Sequence, residues 1–501
     1  MKKSIIIIGA GIAGLAAGCY GQMNGYDTRI FELHDKPGGL CTNWKRKDYN
    51  IDGCIHWLVG TNPTSNFNQM WRELGALQGK EIIDHEEFMH FEGGGGKTFV
   101  LYTDIDRLEQ HMKELAPGDS EVIEEFAGAI RTISRVDLPL VKPREVSTLL
   151  DGLKMLPKML PLFRPLMKYR RTPLKAYAER FKDPLLHEVF TTIFDLPDFP
   201  LLGLLFTMAW LNNKDAGYPV GGSLEFSRAI EKRYLDLGGE ISYKARVERI
   251  LVENDRAVGV RLANGDEHRA ELVISAADGH ATIFDMLEGR YIDNKIRGYY
   301  DNMPIFEPLV QVSVGVSCDL SAEPIAQSFP LAGPIEVAGE ERERMDVVIQ
   351  TYDPTLAPEG KSIIVTTIMS NFPYWEKLYK DKDEYKEEKQ HIADAVVAAM
   401  EARFPKIAGN VEVVDVATPI TYKRFTNNWQ GSFEGWLLTT DNMSSMAGKG
   451  MSKTLPGLDG FYMIGQWVMP GGGLPPAAQS GRDIVQIICH KDKRTFTTTE
   501  P

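Results

Sequence analysis

The feature that most constrains the fold of this chain is an apolar run that turns through glycines, SIIIIGAGIAG at residues 4–14. A β-branched run of this length predicts a strand buried on both faces, and the small residues after it predict a helix packed closely against that strand. Gly9 permits the tight turn, Gly11 lets the backbone approach a pyrophosphate, and Gly14 lets helix and strand touch. The stretch therefore predicts a dinucleotide site formed by Gly9, Gly11, Ile12, Ala13 and Gly14.

A glycine fingerprint alone is weak evidence, and the residues that follow it strengthen the prediction. Residues 28–31 predict a second strand that leads to Glu32, whose carboxylate can accept hydrogen bonds from a ribose 2′-OH. The competing interpretation is a secretory signal peptide, because Lys2 and Lys3 precede the apolar run and small residues follow it. We favour the nucleotide site, because a signal peptide does not account for a strand ending in Glu32 downstream.

Composition excludes several classes of protein. The 501-residue chain has a formal net charge of -13 at pH 7, which argues against nucleic acid as a partner because phosphate binding needs a basic face. Its five cysteines are scattered without a CxxC pair, so neither a disulfide framework nor a metal site is expected. No apolar run reaches the ~20 residues that span a bilayer. We expect a cytoplasmic protein of about two or three domains, with its oligomeric state left open.

A family resemblance begins after Glu32. A glycine pair is followed by an aspartate-glycine step and then by a histidine-aromatic pair, at Gly38, Gly39, Asp52, Gly53, His56 and Trp57. This order resembles the phytoene desaturase, carotenoid isomerase and retinol saturase group of the flavin amine-oxidase superfamily. The resemblance implies that the dinucleotide is FAD.

The resemblance also implies roles for these residues. Gly38 and Gly39 bring backbone against the FAD pyrophosphate or ribityl chain. Many relatives have an arginine where this chain has Leu40, so contact at that position is expected through the backbone alone. His56 and Trp57 are expected near the isoalloxazine ring, and His56 is the candidate catalytic residue.

Two later segments match the same resemblance. Val247 is expected to meet the adenine through its backbone, and Ala276 and Ala277 to line the nucleotide. Near the carboxyl end, a buried strand is followed by a helix entered through glycines and prolines, whose N-terminal dipole would point at the flavin N1/C2 carbonyl region. The residues expected at that helix are Gly465, Gln466, Gly473, Leu474, Pro475 and Ala477.

The expected fold class is α/β, with a glutathione-reductase-like FAD-binding domain made of a Rossmann-type parallel sheet and a β-meander. We assign residues 1–80, 216–290 and 450–501 to this discontinuous domain. A mixed-sheet substrate-binding domain is assigned to residues 81–118 and 291–449, with strands at 308–316, 346–350, 362–369 and 411–418. Aromatic residues within 418–425 either line the substrate tunnel or, as is more common in a sheet, form ordinary core.

Residues 119–215 are expected to form a helical, membrane-associating insertion. Within them, residues 153–182 contain nine Lys and Arg among leucines and prolines, with a single acid, Glu179. Basic heads between apolar stems suit an anionic membrane surface, with the apolar stretch 199–211 as companion. The alternative is a helical hairpin whose charges are simply solvated. Pro157, Pro161, Pro165 and Pro173 are expected to prevent one long helix.

The leading functional expectation is an FAD-dependent oxidoreductase that desaturates a long apolar polyene or isoprenoid lipid by hydride transfer to flavin N5. Saturation or cis-trans isomerisation of a carotenoid- or retinoid-like lipid remains open. Amine oxidation is disfavoured because no aromatic cage or flavin-N5 lysine is evident. A protein of the Rab GDP dissociation inhibitor type would bind prenyl lipid without flavin, and the intact glycine set with Glu32 argues against it.

Overall fold

The computed structural model describes residues 2–443 and 451–501. A five-stranded parallel sheet lies at one end of the molecule. In spatial order its strands are β10 (Glu240–Ser242), β2 (Asp27–Phe31), β1 (Ser4–Ile8), β14 (Leu272–Ser275) and β20 (Phe461–Met463). In β1, the central strand, Ile7 lies opposite Ile30 of β2 and Ile274 of β14. The predicted first strand and its parallel neighbour are confirmed.

Both faces of this sheet are covered, as the continuous apolar run in β1 predicts. Ile5 and Ile7 pack against helices, whereas Ile6 and Ile8 pack against the β-meander. The helices are α1 (Ile12–Met23), α2 (Asn66–Glu73), α9 (Gly222–Asp236) and α14 (Leu474–Lys491). The meander consists of β11 (Val247–Glu253), β12 (Arg256–Leu262) and β13 (Glu267–Arg269). The amino-terminal stretch is thus core of the fold.

A seven-stranded mixed sheet forms the second layer. Its order is β19 (Val411–Ala417), β15 (Leu309–Val316), β18 (Ser362–Met369), β17 (Glu340–Ile349), β16 (Ala326–Val337), β7 (Glu87–Glu92) and β8 (Thr98–Tyr102). The parallel pair β16–β7 makes it mixed. The sequence pattern does not predict β16, because Pro330 and Pro334 interrupt it. Its pairing with β17 is indeed irregular between Pro330 and Ile335.

A helical layer forms the third part of the molecule. It contains α3 (Ile105–Leu115), α4 (Ser120–Ser134), α5 (Leu149–Tyr169), α6 (Leu174–Ala178), α7 (Pro184–Thr192) and α8 (Leu201–Asn212). These helices share one apolar core with β7 and β8. The apolar stretch 199–211, expected at a membrane, is mostly buried in α8 within this core. No helix in the part of the chain that the structure describes is long and apolar enough to cross a bilayer.

The prediction that prolines prevent one long helix is wrong for Pro157, Pro161 and Pro165, because α5 runs for 21 residues through them, whereas Pro173 lies beyond α5, directly before α6. Each proline removes one N–H and frees the carbonyl four residues earlier. The prolines within α5 are four residues apart, so the backbone hydrogen bonds that they remove lie along one side of the helix. The hydrogen bonds on the remaining sides of the helix are kept. A capping box between Thr148 and Asp151 starts the helix.

The shorter elements connect these layers. The strands are β3 (Asn43–Arg46), β4 (Tyr49–Asp52), β5 (Leu58–Val59), β6 (Ile82–Ile83) and β9 (Ala216–Pro219), and the helices are α10 (Asn294–Asn302), α11 (Phe372–Leu378), α12 (Lys382–Arg403) and α13 (Pro419–Thr426). The aromatic run 418–425 was expected in a sheet and is helical instead, because Pro419 in the first turn and the Thr418–Thr421 capping box start α13. The domain boundaries stay a prediction, and the boundary between 449 and 450 lies outside the described residues.

Candidate functional site: a cavity between the three layers

A cavity of about 710 Å³ opens at the carboxyl ends of the parallel strands. It extends from Glu32 beside β2, past the mixed sheet at Leu309 and Met369, to Phe199 and Trp210 in the helical layer. Ligands of open α/β sheets bind at this edge, outside the carboxyl ends of the strands. The cavity therefore joins a polar nucleotide end to an apolar end among the helices.

The cavity wall brings together the predicted site residues, with one exception. Those on the wall are Gly9, Gly11, Ile12, Ala13, Glu32, Gly38, Gly39, Leu40, His56, Trp57, Val247, Ala276, Ala277, Gly465, Gln466, Gly473, Leu474, Pro475 and Ala477. They come from segments that are far apart in sequence. The contacts assigned to each of them remain predictions.

The exception is Gly14, which the structure places behind the wall. A Cβ at Gly14 would overlap the carbonyl oxygen of Gly9, so this glycine permits α1 to pack on the end of β1. This close approach is the role that the sequence predicts for Gly14, and a contact of Gly14 with the cofactor stays a prediction. Gly11 is different, because a Cβ there would meet no atom within 4 Å and would project into open space.

Glu32 is fixed at the nucleotide end. Its carboxylate accepts the backbone N–H of Ala10 at 2.6 Å and that of His34 at 2.8 Å. Burial raises the pKa of Glu32, and these N–H groups oppose the shift. The two hydrogen bonds hold the carboxylate at the rim of the cavity, where the ribose contact was predicted.

The glycine pair at 38–39 is attached directly to the start of α1. The Gly38 N–H donates to the Ala10 carbonyl at 2.9 Å. The φ angle of Gly38 is +106°, and a Cβ there would overlap the Cys41 carbonyl oxygen, so the turn requires glycine. The backbone of residues 38–40 thereby forms a wall of the cavity opposite Gly11.

A buried network holds residues 53–57, which carry the predicted flavin-side residues. The Asp52 carboxylate accepts the backbone N–H of Ser223 at 2.7 Å and that of Cys54 at 3.0 Å. The Ser223 hydroxyl accepts the Ile55 N–H at 2.8 Å and also contacts Asp52. The sequence did not reveal this network, since its members lie 171 residues apart.

His56 and Trp57 project from this segment into the cavity. Burial lowers the pKa of His56, and the Asp52 carboxylate opposes the shift. The imidazole is therefore uncharged near neutral pH. Trp57 is 37% exposed and packs edge-on against Phe88 at 5.1 Å. The pair thus brings one neutral hydrogen-bonding ring and one large aromatic surface to the wall.

The start of α14 closes the cavity from the opposite side. Gly473 precedes the helix, prolines occupy its first turn, and no acidic side chain lies there. The helix start therefore presents positive dipole to the cavity. The Gly465 N–H donates to the Ser480 hydroxyl at 2.9 Å, which fixes the end of β20 against α14.

Two acids on the wall, the buried Asp278 and the partly exposed Glu434, carry no signal in the sequence. Burial raises the pKa of both Asp278 and Glu434 to about 7. Asp278 accepts the N–H groups of Ala281 at 2.7 Å and Trp429 at 2.9 Å, and so holds two loops together. Glu434 lies in a loop without periodic pattern, and no sequence signal distinguished it.

The apolar end of the cavity was anticipated only in general terms. Its wall includes Phe194, Leu196, Phe199, Trp210, Phe306, Leu309, Met369, Tyr422 and Phe433. Tyr422 and Phe425 come from the aromatic run of α13 and do reach the cavity, although from a helix. Such an apolar lining with few polar groups is typical of sites for small apolar ligands.

Comparison with known proteins identifies this architecture. Over residues 12–489 the sequence matches the family described as Flavin containing amine oxidoreductase. The chain belongs to this family.

Relatives and solved structures narrow the placement within the family. The chain is 25% identical over 492 residues to a prolycopene isomerase of Daucus carota, covering 95% of this chain and 78% of the relative. It is 24% identical over 506 residues to a neurosporene-forming phytoene desaturase of Rhodobacter capsulatus, covering 96% and 93%. Cyclohexylamine oxidase of Brevibacterium oxydans shares the fold with a TM-score of 0.60 and 14% identity, covering 99% and 100%.

The protein is thus an FAD-dependent oxidoreductase of the phytoene desaturase, carotenoid isomerase and retinol saturase group. The cavity wall fits FAD. Open space lies in front of Gly11, where a Cβ would occupy the path of a pyrophosphate, and the start of α14, whose own first turn carries no acid, lies on the same cavity wall. The backbone at Gly11 and Gly39, the Glu32 carboxylate and the start of α14 are the groups that would hold it.

Proposed function

We propose that this protein desaturates a long apolar polyene or isoprenoid lipid. The observation that carries the proposal is the apolar half of the cavity, which continues from the predicted flavin side at Trp57 into the helical layer at Phe199 and Trp210. FAD, when bound, supplies the hydride acceptor for such a reaction. The names of the relatives, phytoene desaturase and prolycopene isomerase, favour the same substrate class.

The protein's own residues orient the lipid and exclude water. Phe306 and Phe433 pack with ring centroids 5.3 Å apart on the cavity wall. With Leu309 and Met369 they provide a surface on which a hydrocarbon chain gains burial, about 25 cal/mol per Å² of apolar area. A neutral His56 beside this surface adds no charge that would oppose an apolar ligand.

Isomerisation is the second candidate, favoured by the prolycopene isomerase relatives. Both reactions use the same cavity. They differ in whether the lipid loses electrons to the flavin overall. Desaturation leaves reduced flavin behind, whereas isomerisation does not.

An anaerobic single-turnover experiment with the purified holoenzyme separates these outcomes. Phytoene in liposomes is added to the oxidised enzyme, and prolycopene to the dithionite-reduced enzyme. Bleaching of the flavin with formation of a more conjugated product supports desaturation, and conversion of prolycopene without a change in flavin redox state supports isomerisation. Cyclohexylamine is the control for amine oxidation. Bleaching by the amine alone would contradict the lipid assignment.

We also propose that α5 attaches the enzyme to an anionic bilayer. Seven large apolar side chains on α5 are between 47% and 90% exposed. One is Leu150, and the other six are Leu149, Leu153, Leu156, Leu160, Phe163 and Met167. Their alternating spacing of four and three residues places them in one stripe along the helix. Continuous exposed apolar surface of this kind marks an interaction site.

Charge favours a bilayer over a second copy of the chain as the occupant of this stripe. Arg164 follows Leu160 by one turn and so lies beside the stripe, and the exposed Arg171 lies in the turn that follows the end of α5. Each basic residue near anionic lipid contributes about 1 kcal/mol. Two copies joined through the stripe would bring these like charges together. Lys168 is less suitable for lipid contact, because it pairs with Glu125 at 2.9 Å.

Liposome flotation tests this attachment. The double variant Arg164→Glu with Arg171→Glu should lose binding to vesicles of phosphatidylcholine and phosphatidylserine. Lys154→Glu with Lys158→Glu is the matched control, since helical periodicity places these exposed residues away from the stripe. Equal flotation of the two variants, or a wild type that stays unbound and sediments as a dimer, would contradict the proposal.

A further inference from the structure

Glu434 occupies the junction between the cofactor side and the lipid side of the cavity. On one side its carboxylate contacts the glycine loop before α14, where a Cβ at Gly472 would overlap it. The backbone N–H of Gly473 is close enough to favour the charged form of this carboxyl. On the other side, the adjacent Phe433 packs with Phe306 on the apolar wall. An acid at this point can reach both parts of the cavity.

The surroundings of Glu434 let it exist in either protonation state near neutral pH. Burial raises the pKa of Glu434 to about 7, and the Gly473 N–H opposes the shift. The facing titratable group is Cys54, whose pKa is raised by the Cys41 thiol, by burial and by nearby carboxylates including Glu434. Cys54 is therefore a neutral thiol. The glycine loop and Phe306 bring no titratable group to this carboxyl.

The other acids on the cavity wall have different roles. Glu32 lies at the nucleotide end and is bound by Ala10 and His34. Asp278 caps one loop and holds another through Ala281 and Trp429. Glu434 is the acid on this wall that combines an apolar neighbour with a position beside the predicted flavin end.

We propose that Glu434 is the acid–base residue of the lipid reaction. The inference rests on the proposed function. In desaturation, two C–H bonds of the lipid break and one C=C bond forms. One hydrogen leaves with its electron pair as hydride to the FAD-based acceptor, and the neighbouring carbon releases a proton to Glu434 Oε. The proton then passes to solvent, which restores the carboxylate. In the reverse direction, the same oxygen returns the proton.

The first test is independent of any lipid. Visible spectra of the holoenzyme are recorded from acidic to alkaline pH for wild type, Glu434→Gln and Glu434→Asp, with the exposed Glu121→Gln on α4 as control. Wild type and the control should show a flavin spectral change with a midpoint near 7, which Glu434→Gln lacks and Glu434→Asp retains with a shifted midpoint. An unchanged midpoint in Glu434→Gln would overturn the proposal.

The second test measures the proton step with phytoene liposomes in single turnover. Loss of a general acid–base residue lowers rates by roughly 10²- to 10⁴-fold, so Glu434→Gln should bleach the flavin that much more slowly and Glu434→Asp should recover part of the rate. Because a carboxylate accepts the proton, the wild-type rate should rise with pH through about 7. A wild-type rate in Glu434→Gln would refute this role.

Either test can fail without the other. If wild type binds FAD but phytoene never bleaches it, the proposed desaturation is wrong, and the spectral titration still decides whether Glu434 exchanges a proton beside the flavin. If Glu434→Gln does not retain FAD, Glu434→Asp carries both tests. If Glu434→Asp keeps its full FAD content, shows an unshifted spectral midpoint and recovers none of the lost rate, the result would count against an acid–base role for Glu434.

Discussion

At the scale of single residues, the cavity wall depends on which backbone positions leave room and which side chains hold a proton. Gly11 leaves room, because nothing lies within 4 Å of the position a Cβ would occupy. Replacing Gly11 by alanine should therefore leave the fold intact and remove FAD, since the methyl group would fill the path of the pyrophosphate. The flavin-to-protein absorbance ratio of the purified protein measures this.

The matched control for Gly11→Ala is Gly128→Ala. Gly128 lies within α4, and a Cβ there also meets nothing within 4 Å. Alanine at a helical position removes the conformational entropy cost of glycine, about 0.5–1 kcal/mol. Gly128→Ala should therefore keep its flavin. Equal flavin content in both variants would show that the pyrophosphate does not pass in front of Gly11.

His56 should act in its neutral form. Burial lowers its pKa, so above that pKa the ring is uncharged, and the folded protein binds fewer protons at this site than the unfolded chain does. A contribution of neutral His56 to turnover would consequently be lost as pH falls through the lowered pKa, and stability would fall in the same direction. In His56→Gln the loss of rate that lies below the Glu434 step, at more acidic pH, should disappear, and the Glu434 step should remain.

The comparison variant for this prediction is His187→Gln, because His187 is exposed on α7. It should reproduce the wild-type rate and pH profile. If His56→Gln does so as well, His56 only packs against the wall. The measurement is the rate of flavin bleaching by phytoene as a function of pH.

At the scale of elements, the sequence predicted best where a local pattern and the final environment agree. The isoleucines of β1 are buried on both faces, so their continuous apolar pattern had one structural solution. The sequence prediction failed where contacts between distant parts of the chain determine the structure. Pro330 hides β16, which is held by neighbours on both sides, and the Asp52–Ser223 network joins residues too far apart in sequence to form a motif.

The proline helix α5 leads to a prediction of its own. Pro161 is exposed and interrupts the hydrogen-bond ladder. Alanine is about 3 kcal/mol more favourable than proline in a helix interior. Pro161→Ala should slow amide hydrogen exchange across α5 by at least about tenfold, which corresponds to about 1.4 kcal/mol. Exchange in α4 provides the internal control and should not change. Faster exchange in α5 would mean that its helical geometry depends on the prolines.

At the scale of the whole molecule, the cavity is walled by the parallel sheet, the mixed sheet and the helical layer together. FAD would contact the parallel-sheet side of this wall, and because the three layers share the wall, its binding should stabilise the complete fold and not one part. Binding to the native state alone contributes about 2.7 kcal/mol at a ligand concentration of 100 Kd. The Tm of apoprotein should therefore rise with added FAD in a single transition. Two separate unfolding transitions, only one of which moves to higher temperature with added FAD, would contradict this coupling.

The same cavity predicts that FAD is held without a covalent bond. Cys41 and Cys54 lie on the wall, and a thiolate is the form that would attack a flavin. The pKa of Cys54 is raised, so its thiol stays protonated and unreactive. After acid precipitation the flavin should remain in the supernatant, and Cys54→Ser should keep the wild-type flavin content. Flavin in the protein pellet of wild type, and not of Cys54→Ser, would instead identify Cys54 as an attachment site.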